Sequence, residues 1–311
     1  MRGKEKLEKE QYLEAITLIT SAIQADTTFK EAYLNRGNAF FGYIEYPKAI
    51  KDFTQAIALD SNYADAYFNR SNTYFLLEQY DKALADINQV IRIHPDSARG
   101  YASKGTILMK LQEPEKAFAA LKKTTELDQK FKDAYVNMGV LHFNQKDFGA
   151  AADQFQTALS IDSTLSEVWN NLAMVKLVEG AYQDALTFSE KSLSIQGGDP
   201  YALNNRGLAK LFLGDIEGAK KDIDKSLFYE KNNAFAIRNL GIYYLQIENP
   251  TEALRLFQKA QKIQPTTFGI HYYLGLAHQA LGDAQKACEE WKLAVENEID
   301  KVMPEAKDLC N

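Results

Sequence analysis

The sequence predicts an all-α solenoid of antiparallel helix pairs, and three observations carry that expectation. Alanines recur every 34 residues, at Ala15, Ala49, Ala83, Ala117, Ala151, Ala185, Ala219, Ala253 and Ala287, without an insertion or deletion. A second small-residue series, offset by twelve, runs Gly3, Gly37, Ser71, Gly105, Gly139, Ala173, Gly207, Gly241 and Gly275. Within each period the apolar residues keep the i, i+3, i+4, i+7 spacing of an amphipathic helix, as in Tyr135, Met138, Gly139 and His142 and then Ala151, Phe155, Ala158 and Leu159.

Each period therefore holds two helices. The break between them carries turn or helix-stopping residues such as Gly180, Gly214-Asp215, Asn249-Pro250 and Gly282-Asp283. Repeats close on Asp60-Ser61, His94-Pro95, Asp162-Ser163 or Gln264-Pro265. The small residues let helices approach closely, while Tyr33, Tyr67, Tyr101, Tyr135 and Trp169 are large knobs one turn earlier on the first helix.

The expected organisation is one solenoid over 1–311. A partial first repeat fills 1–29, eight complete repeats fill 30–301, and a short capping helix fills 302–311. The complete repeats start at Lys30, Ala64, Ala98, Lys132, Ser166, Pro200, Ala234 and Phe268. Arg2-Gly3 aligns with Arg36-Gly37, so the front of the first repeat's first helix is missing from the frame. Because solenoids need capped ends, the chain is expected to be a fragment of something longer. Pro304 suits the first turn of the last helix, which would cover the end repeat with Val302, Met303 and Leu309.

The 34-residue period, with an aromatic, then Leu or Arg before Gly, then Ala, Phe or Ile, and Ala, resembles the tetratricopeptide repeat family over almost the whole chain. The resemblance implies a right-handed superhelix whose concave face is lined by the first helix of each repeat. It also implies a non-catalytic scaffold that binds an extended or helical peptide segment in its groove.

On that face the sixth positions are Asn35, Asn69, Ser103, Asn137, Asn171, Asn205, Asn239 and Tyr273. A carboxamide offers both a donor and an acceptor, which suits an extended backbone held without regard to its side chains. Two readings stand: the asparagines hold a peptide, or they bond neighbouring repeats. Beside them the first half shows Asn38, Phe41, Asn72, Phe75 and Thr106. The second half shows an apolar stripe through Val140, Phe143, Met174, Leu177, Leu208, Leu211, Phe212, Ile242, Leu245 and Leu276, with Arg238 beside it. That stripe is either a partner surface or core closed over by the superhelix. The candidate peptide-binding set is Asn35, Asn38, Asn69, Asn137, Asn171, Asn205, Asn239, Arg238, Met174, Leu208, Phe212 and Ile242.

Some family members grip a C-terminal carboxylate. The corresponding positions here match at Asn38, Asn69 and Arg99, but Leu34 and Ser103 replace the other two basic residues, so this clamp is incomplete. Acidic groups at Glu31, Asp65, Asp133 and Glu167 favour a neutral or basic, partly apolar segment over an anionic one.

No catalytic, metal or cofactor site is expected. Of His94, His142, His271 and His278, the last two lie seven apart on one helix face with no cysteine or acidic residue at ligand spacing, so packing is expected and not a zinc site. No phosphate loop or nucleophile elbow occurs, and Glu289 and Glu290 read as a solvated helix face. A net charge of −6 argues against nucleic acid, and no apolar run is long enough to span a bilayer as a helix. With 46% apolar residues and seven prolines the chain has ample material to bury.

The sequence around Cys288, followed by the late Cys310, loosely resembles the ends of some bacterial cell-envelope repeat proteins. Cys288 and Cys310 are either disulfide-bonded or a buried thiol and a free one, so the cytoplasm and the periplasm or cell envelope stay equally open. The alternative to a groove binder is a structural arm, or a module that associates end to end through its open first repeat.

Overall fold

The structure is a computed structural model that describes residues 2–296 and Cys310, with side chains from residue 11 to 295 and at Cys310. The expected capping helix at 302–311 otherwise lies outside the described residues. The chain divides into two compact units, residues 1–147 and 148–311.

The first unit holds α1 (Arg2–Ala25), α2 (Lys30–Gly42), α3 (Tyr46–Leu59), α4 (Ala64–Leu76), α5 (Tyr80–Ile93), α6 (Ala98–Lys110), α7 (Pro114–Leu127) and α8 (Lys132–Asn144). The second holds α9 (Phe148–Ile161), α10 (Ser166–Glu179), α11 (Tyr182–Ile195), α12 (Pro200–Leu213), α13 (Ile216–Tyr229), α14 (Ala234–Gln246), α15 (Pro250–Ile263), α16 (Ile270–Ala280) and α17 (Ala284–Glu296). Among the described residues every element is a helix, and in each unit consecutive helices pack on one another.

The partial first repeat departs from the pattern. Where later repeats turn, Glu8-Lys9-Glu10-Gln11 continues α1 unbroken, because these four are good helix formers with no glycine or proline among them. Every other turn between the helices of a repeat uses one left-handed residue, 34 positions apart: Ile44, Glu78, Gln112, Lys146, Gly180, Gly214, Glu248 and Gly282. Only three of these are glycine. The closing turns are stabilised differently: the carboxylates of Asp26, Asp60, Asp128 and Asp162 accept from the backbone N–H two residues on.

The two small-residue series meet each other's helices. The alanines from Ala49 to Ala287 are essentially inaccessible. The glycines exist because a large side chain of the same repeat's second helix presses on them. A Cβ on Gly37 would sit 2.5 Å from the Phe53 ring, one on Gly105 2.6 Å from Leu121, and one on Gly207 2.9 Å from Ile223. Where the first helix carries Ala173, the facing residue shrinks to buried Ser189. In the first unit these contacts join three apolar clusters, centred on Phe53, Ile87 and Leu121, each reaching the first helix of the next repeat.

A second internal tie is polar. Arg36 donates from Nε and Nη2 to Asp52 at 2.7 and 2.8 Å, and Arg70 makes the same fork to Asp86 at 2.7 Å in both bonds. Arg206 repeats it to Asp222, which also accepts from Lys210 at 2.8 Å. The three aspartates are buried, and bidentate geometry satisfies both carboxylate oxygens. The tyrosine knobs carry the same arginines: the Arg36 and Arg70 guanidiniums lie 5.7 and 5.6 Å from the ring centres of Tyr33 and Tyr67.

Candidate functional site

The first-helix face differs between the units because the residues beside the sixth position differ. In the first unit Asn69 Nδ2 donates to Asn38 Oδ1 at 2.8 Å, and Asn137 Nδ2 donates to Thr106 Oγ1 at 3.3 Å, each bond reaching the ninth position of the preceding repeat. In the second unit the ninth positions are apolar, so the amide turns to the fifth position instead. Asn205 donates to Asn170 at 2.8 Å and Asn239 to Asn204 at 2.7 Å.

These contacts place part of the expected set within the helix packing. Asn205 and Asn239 are buried, Asn239 completely, and so are Arg238, Leu208 and Ile242. They pack the second unit's helices together. Arg238 has neutral partners: Nε and Nη2 donate to Asn239 Oδ1 and Nη1 to the Phe268 carbonyl. Burial holds its guanidinium below the ordinary arginine range. Burial likewise pushes Tyr273 up to about 12, against the opposing pull of Arg238. Met174 and Asn171 are half-buried, and Phe212 is stacked on Tyr182 with ring centres 4.4 Å apart.

The first unit keeps its face open. Asn35 and Asn38 are exposed, and Asn69 and Asn137 are partly so. A groove of about 230 Å³ lies across α4, α6 and α8. Asn72 and Phe75 of α4 form one side, and Ala102, Ser103, Thr106 and Ile107 of α6 form the floor. Phe131, Asp133 and Asn137 close the far side. Ala102 and Ile107 are buried, Asp133 is exposed, and the others are half-buried, so the groove combines apolar surface with partly solvated polar groups. Among the described residues no hydrogen bond engages the side chains of Asn72 or Ser103.

The carboxylate-clamp positions do not assemble. Leu34 is buried, Asn38 is bonded to Asn69, and the Arg99 guanidinium lies 3.8 Å from the Phe68 ring centre.

Of the groove residues, Asn137 belongs to the predicted set, and Asn72, Phe75 and Thr106 lie on the face already singled out. Ile107 and Phe131 were not legible as site residues. Ile107 falls one position past the polar Thr106, and Phe131 is the last residue of its repeat, outside the helix whose face was read. An aromatic recurs there at Phe29 and Tyr63, which is the one available signal.

Elsewhere His271 Nδ1 lies 2.7 Å from Glu290 Oε2, so Glu290 is a paired, partly buried group, contrary to the solvated face expected. His142 packs edge-on against Phe118. Among the described residues no three of His, Cys, Asp and Glu gather as metal ligands, and no helix is long and apolar enough to cross a membrane. Cys288 and Cys310 are disulfide-bonded with Cα atoms 5.4 Å apart, and both pack on Trp291.

Tandem helix pairs with a polar-rimmed groove on the first-helix face define a protein-interaction scaffold. The chain belongs to the tetratricopeptide repeat family: profiles described as TPR repeat and tetratricopeptide repeat match residues 45–77, 64–97, 103–165 and 238–297. No curated protein matches the chain. Among solved structures it is similar to the Cut9–Hcn1 hetero-tetramer of the APC/C, with 17% identity, 93% of this chain and 57% of that one covered, and a TM-score of 0.64. It is also similar to a tetratricopeptide repeat protein from Parabacteroides merdae, with 17% identity, coverages of 80% and 98%, and a TM-score of 0.62. A third is PilF of Pseudomonas aeruginosa, with 19% identity, coverages of 69% and 97%, and a TM-score of 0.57. At these identities the likeness is one of fold.

Proposed function

We propose that this chain is a non-catalytic scaffold that holds an extended peptide segment of a partner protein in the groove across α4, α6 and α8. The observation that supports this reading is the combination of apolar surface from Phe75, Ile107 and Phe131 with polar side chains, Asn72 and Ser103, that have no partner within the described chain. A peptide backbone laid along the groove supplies donors and acceptors to both, and Asn137 and Thr106 already hold one another in position for it. Burial of Asn205, Leu208, Asn239 and Ile242 in the second unit favours the first as the binding half. Photo-crosslinking in cells tests it: benzoylphenylalanine placed at Ser103 is expected to trap a discrete partner that the same probe at exposed Lys122 on α7 does not. Identical products from both positions, or none from Ser103, would refute the reading.

A second reading, self-association through α1, rests on a different observation. Ala49, Phe53 and Ala56 are inaccessible, whereas their counterparts Ala15, Ile19 and Ala22 are half-buried or exposed, and Leu18 is 65% exposed. Under this reading a second copy covers that stripe. Sedimentation equilibrium then gives a concentration-dependent mass that Leu18→Lys abolishes; a constant monomer mass across the accessible range removes the reading.

A further inference from the structure

Resting on the groove reading above, we infer that the groove is a pocket for one basic side chain, a lysine or arginine of the bound segment, with Asp133 as its counter-charge. The cavity, at about 230 Å³, has room for a long side chain. Its walls are chemically of two kinds. Phe75, Ile107 and Phe131 offer apolar and aromatic surface to a methylene stem, as long cationic side chains require when their charged end stays near water. Asp133 lines the cavity and is exposed, and among the described residues it makes no ion pair or hydrogen bond within the chain.

That combination is selective. A glutamate or aspartate in the pocket would face a like charge, whereas a methionine of similar length would gain the walls but leave Asp133 unanswered. Lys130 and Lys132 flank the site in sequence but do not line the cavity, so Asp133 is its one charged wall. Arg99, on the first helix of the preceding repeat, is already laid on the Phe68 ring 3.8 Å away. The amide and hydroxyl groups of Asn72 and Ser103 remain for the backbone or for the further N–H groups of a guanidinium, which has five donors to place.

A random heptapeptide display library selected on the full chain tests this directly, with Asp133→Asn, Phe75→Ala and the charge-matched control Asp81→Asn, on exposed surface of α5, selected in parallel. The expected result is enrichment of lysine or arginine at one fixed position for the wild type and for Asp81→Asn, and loss of that enrichment for Asp133→Asn. In titrations of a selected peptide, replacing its basic residue by norleucine is expected to weaken binding about fivefold in the wild type and not at all in Asp133→Asn, the size of a partly solvated charge pair. Selected peptides that depend on Phe75 yet show no basic preference would overturn the pocket while leaving the groove reading intact. Peptides indifferent to Phe75→Ala, or no enrichment at all, would overturn both. Circular dichroism of each variant confirms that a loss of binding is not a loss of fold.

Discussion

At the scale of single residues, the turn inside each repeat separates backbone strain from packing. Ile44 is β-branched, holds φ at 65° and is 65% exposed, so its side chain contributes little to set against the left-handed conformation. Ile44→Gly is expected to raise stability by about 1 kcal/mol, measured by urea denaturation, since the left-handed penalty of roughly 1–2 kcal/mol exceeds the entropy glycine adds to the unfolded chain. Conversely, Gly180→Ala and Gly214→Ala place a methyl group in open space at φ of 76° and 87°, and each should cost about 1 kcal/mol through the backbone alone. Unchanged stability in all three would show that the turns are slack. Glycine at three of the turns was legible; that the other five adopt the same conformation was not, because their residues carry no positive-φ preference.

The buried fork of Arg206 on Asp222 gives a pH dependence of definite sign. Burial pushes the Asp222 carboxyl up, but hydrogen bonds from Arg206 and Lys210 outweigh it and hold the group below its ordinary range. The folded state thus binds this proton less readily than the unfolded chain. The stabilisation is complete above the ordinary aspartate pKa of about 4 and is lost as pH falls through the lower folded value. The stability gap between the wild type and Asp222→Asn should accordingly be widest near neutrality and close below about pH 4. A gap independent of pH would assign the loss to shape and not to charge. This pair was readable in the sequence: Arg and Asp sixteen residues apart occur together at 36 and 52, 70 and 86, and 206 and 222, and where Leu replaces the Arg, at 172, 240 and 274, the second position is Phe, Leu or Glu.

At the scale of helices, the period gave the elements and the small residues gave their contacts. Gly105 lies under Leu121, so Gly105→Ala is expected to cost about 1–3 kcal/mol by overpacking. Adding Leu121→Val should recover part of it, since residues in contact do not act additively. Strict additivity in that cycle would contradict the packing described. What the pattern could not disclose is which half of the first-helix face stays open. The stripe through Leu208 and Ile242 reads equally as surface or core; in the structure both are buried, and Asn205 and Asn239 bond fifth-position asparagines of the preceding repeat.

At the scale of the molecule, consecutive helices within each unit pack on one another, so stability is distributed and the ends are expected to be the weak places. The disulfide of Cys288 with Cys310 ties Cys310 to the apolar cluster of Ala287, Trp291 and Ala294 on α17. Reduction should remove roughly 3 kcal/mol of local stability, the chain-entropy value for a loop of this length. Hydrogen exchange after mild reduction is expected to speed in α16 and α17 and to remain unchanged in α4 to α7. Uniform behaviour would mean that the bridge fastens nothing.

The claim that organises the rest is that the first unit's groove is the binding site. Hydrogen-exchange mass spectrometry of the full chain, alone and saturated with a library-selected peptide, tests it most directly. The account predicts slowed exchange in residues 98–110 and 131–137 with residues 200–246 unchanged. Slowed exchange confined to residues 200–246 would contradict it, and would mean that the packed face around Asn239 opens to receive the ligand.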